Sequence, residues 1–90
     1  MLPKNRAPTH PGEILELDFL DPMKMSQVQL AEKMGIPVQR VNGLVNGRRS
    51  MTADTALLLA KVFEASAEFW MNLQTARDLW EAQRKLATSR

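Results

Sequence analysis

Apolar residues recur at helical spacing along most of the chain, in stretches separated by glycine, proline and small polar residues. The clearest pattern begins at Ser26, a residue type that caps free backbone N–H groups. Leu30, Ala31 and Met34 follow on one helical face. Gly35 can then end the helix, because glycine adopts a positive φ without a steric penalty. This stretch predicts a short amphipathic helix.

A second short helix is predicted directly afterwards. Pro37 suits its first position, where a missing N–H is harmless, and Asn46-Gly47 ends it. Val41 and Leu44 are three residues apart and face inward together. A polar outer face remains, consisting of Gln39, Arg40, Asn42 and Gly43. Such a face is typical of a DNA-recognition helix, because the major groove admits one α-helix and its base edges pair with amide and guanidinium groups.

Three further helices complete the prediction. His10 as N-cap places Pro11 at the first helical position and Glu13 at the third; Thr9 is the alternative cap. Asp21-Pro22 is expected to end this helix, because the residue before proline disfavours helical geometry. Caps at Thr52 and Ser66 start the fourth and fifth helices, whose core stripes are Ala56, Leu59, Ala60 and Phe63, then Phe69, Leu73, Ala76 and Trp80.

Composition limits the class of protein without identifying it. The 90 residues fit one small domain, with residues 1–9 expected as a flexible arm, 10–82 as the helix-turn-helix DNA-binding domain and 83–90 as a frayed tail. With no cysteine, no apolar N-terminal segment and no apolar run of about 18 residues, we expect a soluble cytoplasmic protein. His10 with Glu13 and Glu16 would be a poor metal site. We expect no metal, no cofactor and no enzymatic activity.

Charge is unevenly distributed, although the net value is only +2. Residues 13–35 carry five acidic and two basic side chains, whereas residues 36–50 carry three arginines and no acid. An ordinary solvated surface is the alternative interpretation. Because the basic segment coincides with the helix-turn-helix pattern, we favour a contact with DNA phosphates.

These patterns resemble a known family. The chain is similar to the repressor-type helix-turn-helix group (XRE, or Cro/repressor) at Ser26-Gln27, Leu30-Ala31, Gly35-Ile36, Val41 and Asn46-Gly47-Arg48. It resembles the HigA-type antitoxins more specifically in HPGEIL at His10–Leu15, TADTALLLAKVF at Thr52–Phe63 and EFWMNLQ at Glu68–Gln74. The resemblance implies an all-α, five-helix repressor-type domain whose C-terminal helix is extended for dimerisation.

The resemblance also implies functions and sites. An antitoxin of this type neutralises a small basic ribonuclease toxin and represses its own operon. The expected base-reading residues are Val38, Gln39, Arg40, Asn42 and Gly43, and the expected phosphate contacts are Gln27, Asn46, Arg48 and Arg49. The chain departs from the family's usual polar residues at Pro37 and Val38, so Val38 offers only apolar contact, for instance to a thymine methyl.

Two further surfaces are expected. One recognition helix reads few base pairs, so we expect a homodimer on an inverted repeat, with recognition helices about 34 Å apart. Its interface is predicted at Trp70, Leu73, Arg77 and Trp80, although burial within the monomer is the alternative for the apolar residues. The toxin is expected to dock on the acidic residues Glu13, Glu16 and Asp18. A stand-alone or phage-type repressor, and an interaction module without DNA binding, remain alternatives to the antitoxin.

Overall fold

The computed structural model describes residues 7–88, which form five helices and no strand, as the all-α prediction requires. The helix α1 is one continuous run of three segments, Pro11–Ile14, Leu15–Leu20 and Asp21–Met23. The others are α2 (Gln27–Met34), α3 (Val38–Val45), α4 (Ala53–Val62) and α5 (Ala67–Thr88). Most of the predicted N-terminal arm (residues 1–6) and the end of the predicted tail (residues 89–90) lie outside the described residues.

Local capping signals determine where several helices begin and end. The Ser26 hydroxyl accepts a hydrogen bond from the Gln29 N–H (3.0 Å), and the Gln29 side chain accepts one from the Ser26 N–H (2.8 Å). This reciprocal capping box satisfies two free donors at the start of α2. At the other end, Gly35 has the predicted positive φ of 72°. Ser66 caps α5 by accepting from the Phe69 N–H (3.0 Å).

The first helix passes through Pro22 instead of ending there, so that boundary prediction was wrong. Residues 15–20 form a π-helix, in which each N–H bonds to the carbonyl five residues earlier; the Asp21 N–H, for example, bonds to the Glu16 carbonyl. This wider turn brings residues five apart onto one face, and both Leu15 and Leu20 are buried. The run ends only at Lys24, whose φ is 53°.

Trp70 lies at the centre of the hydrophobic core and is fully buried. Its ring packs 5.0 Å from the rings of Phe19 and Phe69. Trp70 and Gln74, four residues apart, are the buried residues of α5, so its inward face is rotated by one residue from the predicted Phe69–Leu73 stripe. The prediction of a subunit contact at Trp70 was therefore wrong, because neighbouring helices cover the whole side chain.

The second half of α5 extends along the surface. Leu79 and Leu86 are 58% and 72% exposed, the latter the highest exposure among the large apolar side chains that the structure describes. Helical structure continues to Thr88, six residues into the predicted tail, and fraying of that tail stays a prediction. In residues 7–88, no helix is both long enough and apolar enough to span a bilayer.

Candidate nucleic-acid interface

The recognition helix α3 has the predicted inner and outer faces. Val41 and Leu44 are buried, while Gln39 and Asn42 are exposed on the opposite side. Pro37 takes the N-cap position, one residue before the predicted one, with extended geometry (φ −64°, ψ 145°). Since proline offers no capping side chain, the helix begins without a side-chain hydrogen bond.

A chain of amide hydrogen bonds crosses the outer face. The Asn42 amide donates to the Gln27 side chain on α2 (3.2 Å) and accepts from the Asn46 side chain (3.1 Å). Asn46 in turn accepts from the Arg48 backbone N–H (3.2 Å). The chain fixes the orientation of the Asn42 amide and connects α2, α3 and the turn that follows α3.

The polar face forms a shallow depression that collects seven of the nine predicted DNA-contacting residues. Its lining consists of Gln27, Val38, Gln39, Asn42, Gly43, Arg48 and Arg49. Among the described residues that line it, none is acidic. The depression therefore combines amides, one apolar side chain and two guanidinium groups, and these are the kinds of group that proteins use against base edges, thymine methyls and phosphates.

Gly43 provides space rather than a side chain. It is buried, and a Cβ atom there would lie 3.0 Å from Cδ of Arg49. Its carbonyl accepts hydrogen bonds from the N–H groups of Arg48 (2.9 Å) and Arg49 (3.0 Å). Gly43 thus holds the turn close and lets the Arg49 side chain lie across the helix.

Arg40 does not join the other predicted base readers. Its guanidinium donates to Asp54 Oδ2 (3.0 Å) and to Thr55 Oγ1 (2.9 Å), both in the first turn of α4. Hydrogen bonds from Thr52 and from Arg40 hold the pKa of Asp54 below its ordinary value. In this structure Arg40 links two helices and is turned away from the polar face.

The HPGE segment supports the C-terminal end of α3, a role that the sequence analysis missed. The predicted His10 cap is confirmed, since Nδ1 accepts from the Gly12 N–H (2.9 Å). Gly12 is buried so closely against α3 that a Cβ atom would overlap the Leu44 carbonyl oxygen and lie 3.0 Å from Cα of Val45. Burial, and then the charge of Arg77, lower the pKa of His10 below its ordinary value. No signal within the segment itself reveals this backbone contact.

Gln74 is a second residue that the sequence analysis missed. Its side-chain oxygen accepts a buried hydrogen bond of 2.6 Å from the Met51 N–H. Met51 follows the turn that carries Arg48 and Arg49 (the arginine-bearing turn), so α5 anchors the end of that turn. A glutamine within an amphipathic helix usually faces solvent, and its burial follows only from the orientation of α5 in the fold.

The remaining predicted sites lie elsewhere. Leu73, Arg77 and Trp80 are half-buried on α5, where Arg77 donates to the Pro8 carbonyl (3.0 Å) and Trp80 carries the Arg84 guanidinium over its ring at 4.8 Å. The acidic residues predicted to contact the toxin lie on α1 and are exposed or half-buried; they are Glu13, Glu16 and Asp18. Across residues 7–88, no three His, Asp or Glu side chains are grouped to hold a metal ion.

Comparison with known proteins gives consistent matches. The Helix-turn-helix family profile matches residues 18–70. Antitoxin HigA-1 of Vibrio cholerae serotype O1 is 40% identical over 80 residues, which are 89% of this chain and 75% of that protein.

Solved structures of related proteins superpose on nearly the whole of this chain. An addiction module antidote protein of the HigA family from Coxiella burnetii is 49% identical, with a TM-score of 0.85 and coverage of 93% of this chain and 91% of that one. The Pseudomonas aeruginosa antitoxin HigA, solved with the higBA promoter, is 39% identical, with a TM-score of 0.81 and coverage of 91% and 87%.

Proposed function

Since this chain belongs to the helix-turn-helix family that includes the HigA antitoxins, we propose that it is a DNA-binding repressor and the antitoxin of a type II toxin–antitoxin module. It binds an inverted repeat in its own operator, as a homodimer in the cytoplasm, and neutralises a small basic ribonuclease encoded beside it. The family is one of transcriptional regulators, and the chain is not an enzyme.

The observation that carries the DNA proposal is the acid-free depression on α3. Gln39 and Asn42 present amides at its surface, and Arg48 and Arg49 border it. Amides read base edges in the major groove, and guanidinium groups neutralise phosphates. The Pseudomonas aeruginosa antitoxin HigA, which is 39% identical and was solved with promoter DNA, supports DNA binding by this chain.

The dimer proposal uses the exposed half of α5. Trp70 is excluded by its burial, which leaves Leu73, Arg77 and Trp80 from the sequence prediction. Leu79 and Leu86 add exposed apolar area to the same helix. Apolar and aromatic side chains are enriched in the cores of homodimer interfaces.

A DNA-binding assay tests the repressor. The probe is the DNA immediately upstream of the protein's own gene, with unrelated DNA of equal length as competitor. Gln39→Ala with Asn42→Ala should abolish the preference for the upstream DNA, because each bidentate amide–base pair contributes about 1–3 kcal/mol of discrimination. The matched control, Lys61→Ala with Glu64→Ala, removes two exposed polar side chains near the end of α4, away from both the depression and the proposed dimer surface, and should leave the preference intact. A preference that survives in the first variant would exclude this face as the reader.

Co-purification tests the antitoxin. When the protein is isolated from its own cells, a small basic protein encoded by the neighbouring gene should co-purify with it at a molar ratio of about one to one. Reversing the charges of Glu13, Glu16 and Asp18 should weaken that complex while DNA binding persists, because complementary potentials speed association. Toxin affinity unchanged by the reversal would exclude this docking surface. Absence of any partner, from cells that express the neighbouring gene, would leave a stand-alone repressor.

A further inference from the structure

The Arg40 side chain connects the recognition helix to the first turn of α4. Its guanidinium donates to a carboxylate oxygen of Asp54 at 3.0 Å and to the Thr55 hydroxyl at 2.9 Å. Thr55 is buried, and Thr52 also hydrogen-bonds to Asp54 and Thr55. All the acceptors belong to one helix start, so Arg40 meets a prearranged set of oxygens.

The backbones of α3 and α4 approach each other closely at few points. Close backbone contacts of α3 are concentrated on α2 and on the start of α1, with few on α4. Arg40 lines a cavity of about 260 Å³, whose other lining residues include Leu30, Val41, Leu44 and Thr55. The N-terminus of α3 also has no side-chain cap. The Arg40 hydrogen bonds therefore supply a polar connection where the two helix backbones make few close approaches.

We propose that Arg40 is a positioning residue for the recognition helix and contacts neither base nor phosphate. By joining α3 to Asp54 and Thr55, it sets the orientation in which Val38 and Gln39 meet the major groove. This inference rests on the proposed operator binding and replaces the base-reading role expected for Arg40 from the sequence.

Asp54 distinguishes the two roles of Arg40 by the sign of its effect. If Arg40 contacted DNA, Asp54 would compete with the DNA for the guanidinium and would repel phosphates, so Asp54→Ala would raise affinity. If Arg40 positions α3, Asp54→Ala removes the anchor and lowers affinity. Thr55→Val removes the second acceptor with little change of shape and should act in the same direction.

The experiment measures anisotropy of labelled upstream DNA at several salt concentrations. Arg40→Ala and Asp54→Ala should each lower affinity by about threefold to tenfold, the scale of one charge-assisted hydrogen bond. The double variant should bind no more weakly than Arg40→Ala, because both changes break one connection. Controls are Lys61→Ala and Glu64→Ala, which remove the same charges from exposed positions near the end of α4. Thermal unfolding confirms that each variant folds, and the exposed Asp54 predicts little change in stability.

The salt dependence provides an independent readout. A lost phosphate contact reduces the slope of log affinity against log salt concentration by about 0.9, whereas a lost positioning contact leaves it equal to that of Lys61→Ala. Higher or unchanged affinity in Asp54→Ala, or a slope reduced by that amount in Arg40→Ala, would overturn the inference while the proposed function stands. Failure of the unmodified protein to prefer upstream DNA would instead overturn the proposed function.

Discussion

At its C-terminal end α3 meets α1 backbone to backbone, whereas at its N-terminal end it is joined to α4 through one arginine side chain. The first contact involves no side chain that could change rotamer, since Gly12 lies directly against the Leu44 carbonyl. The second depends on a long side chain that lines a cavity. The arginine-bearing turn is therefore held against α1 by a rigid contact, while the end that carries Gln39 is joined to α4 by an adjustable one.

The largest effect is expected from disrupting the rigid contact between Gly12 and α3. Gly12→Ala should destabilise the fold by at least about 3 kcal/mol, because the new Cβ overlaps backbone atoms that cannot rotate away. Gly35→Ala is the matched control, because its Cβ would meet nothing within 4 Å and only the positive φ is strained, at about 1–2 kcal/mol. Chemical denaturation measures both. Equal losses would contradict the backbone contact.

The second largest effect is expected from removing the hydrogen bond that anchors the end of the arginine-bearing turn. Gln74→Ala should lower the free energy of unfolding by about 1–3 kcal/mol, since it leaves the buried Met51 N–H without its acceptor. Thr75→Ala, at the neighbouring exposed position, should change it little. A Met51 amide that exchanges hydrogen at the same rate in both variants would argue against this anchor.

A smaller effect separates stability from binding on α3 itself. Gly43→Ala should stabilise the helix by up to about 1 kcal/mol through its higher helix propensity. The same Cβ displaces the Arg49 side chain, so affinity for upstream DNA should fall by about threefold to tenfold, as for one lost phosphate contact. Denaturation and anisotropy measure the two quantities. A fall in both the free energy of unfolding and the DNA affinity would mean that the Arg49 side chain cannot move aside.

The smallest effect concerns pH. Because the pKa of His10 is lowered in the folded protein, the unfolded chain binds its proton more readily. Stability should therefore decline as pH falls through the ordinary value of 6.5 and level off below the folded pKa. Protonated Nδ1 can no longer accept from the Gly12 N–H. His10→Asn, a capping residue that does not titrate, should remove this decline, and an unchanged pH profile would contradict it.

Local signals predicted much of this architecture. The caps at Ser26 and Ser66, the positive φ of Gly35 and the buried pair Val41 and Leu44 depend on neighbours within four residues. Their physical chemistry is therefore readable directly from the chain.

The features that the sequence did not reveal share a different cause. Trp70, Arg40 and Gln74 make their contacts with segments distant in sequence, and the helix continues through Pro22 after the preceding turn widens to a π-helix. Periodicity gives the spacing of an apolar stripe but not the rotation of a helix in the assembled core. The polar face of α3 was readable because its residues are nearly contiguous in sequence, whereas the residues that support it are not.

The hydrogen bond between Gln74 and Met51 also connects α5 to the turn that carries Arg48 and Arg49. Coupling between two sites is reciprocal. If pairing of two subunits through α5 shifts this turn toward a DNA-binding geometry, then occupied DNA must strengthen the pairing by the same factor. Dimer assembly and operator occupancy would then be linked equilibria, coupled through the single buried amide of Gln74.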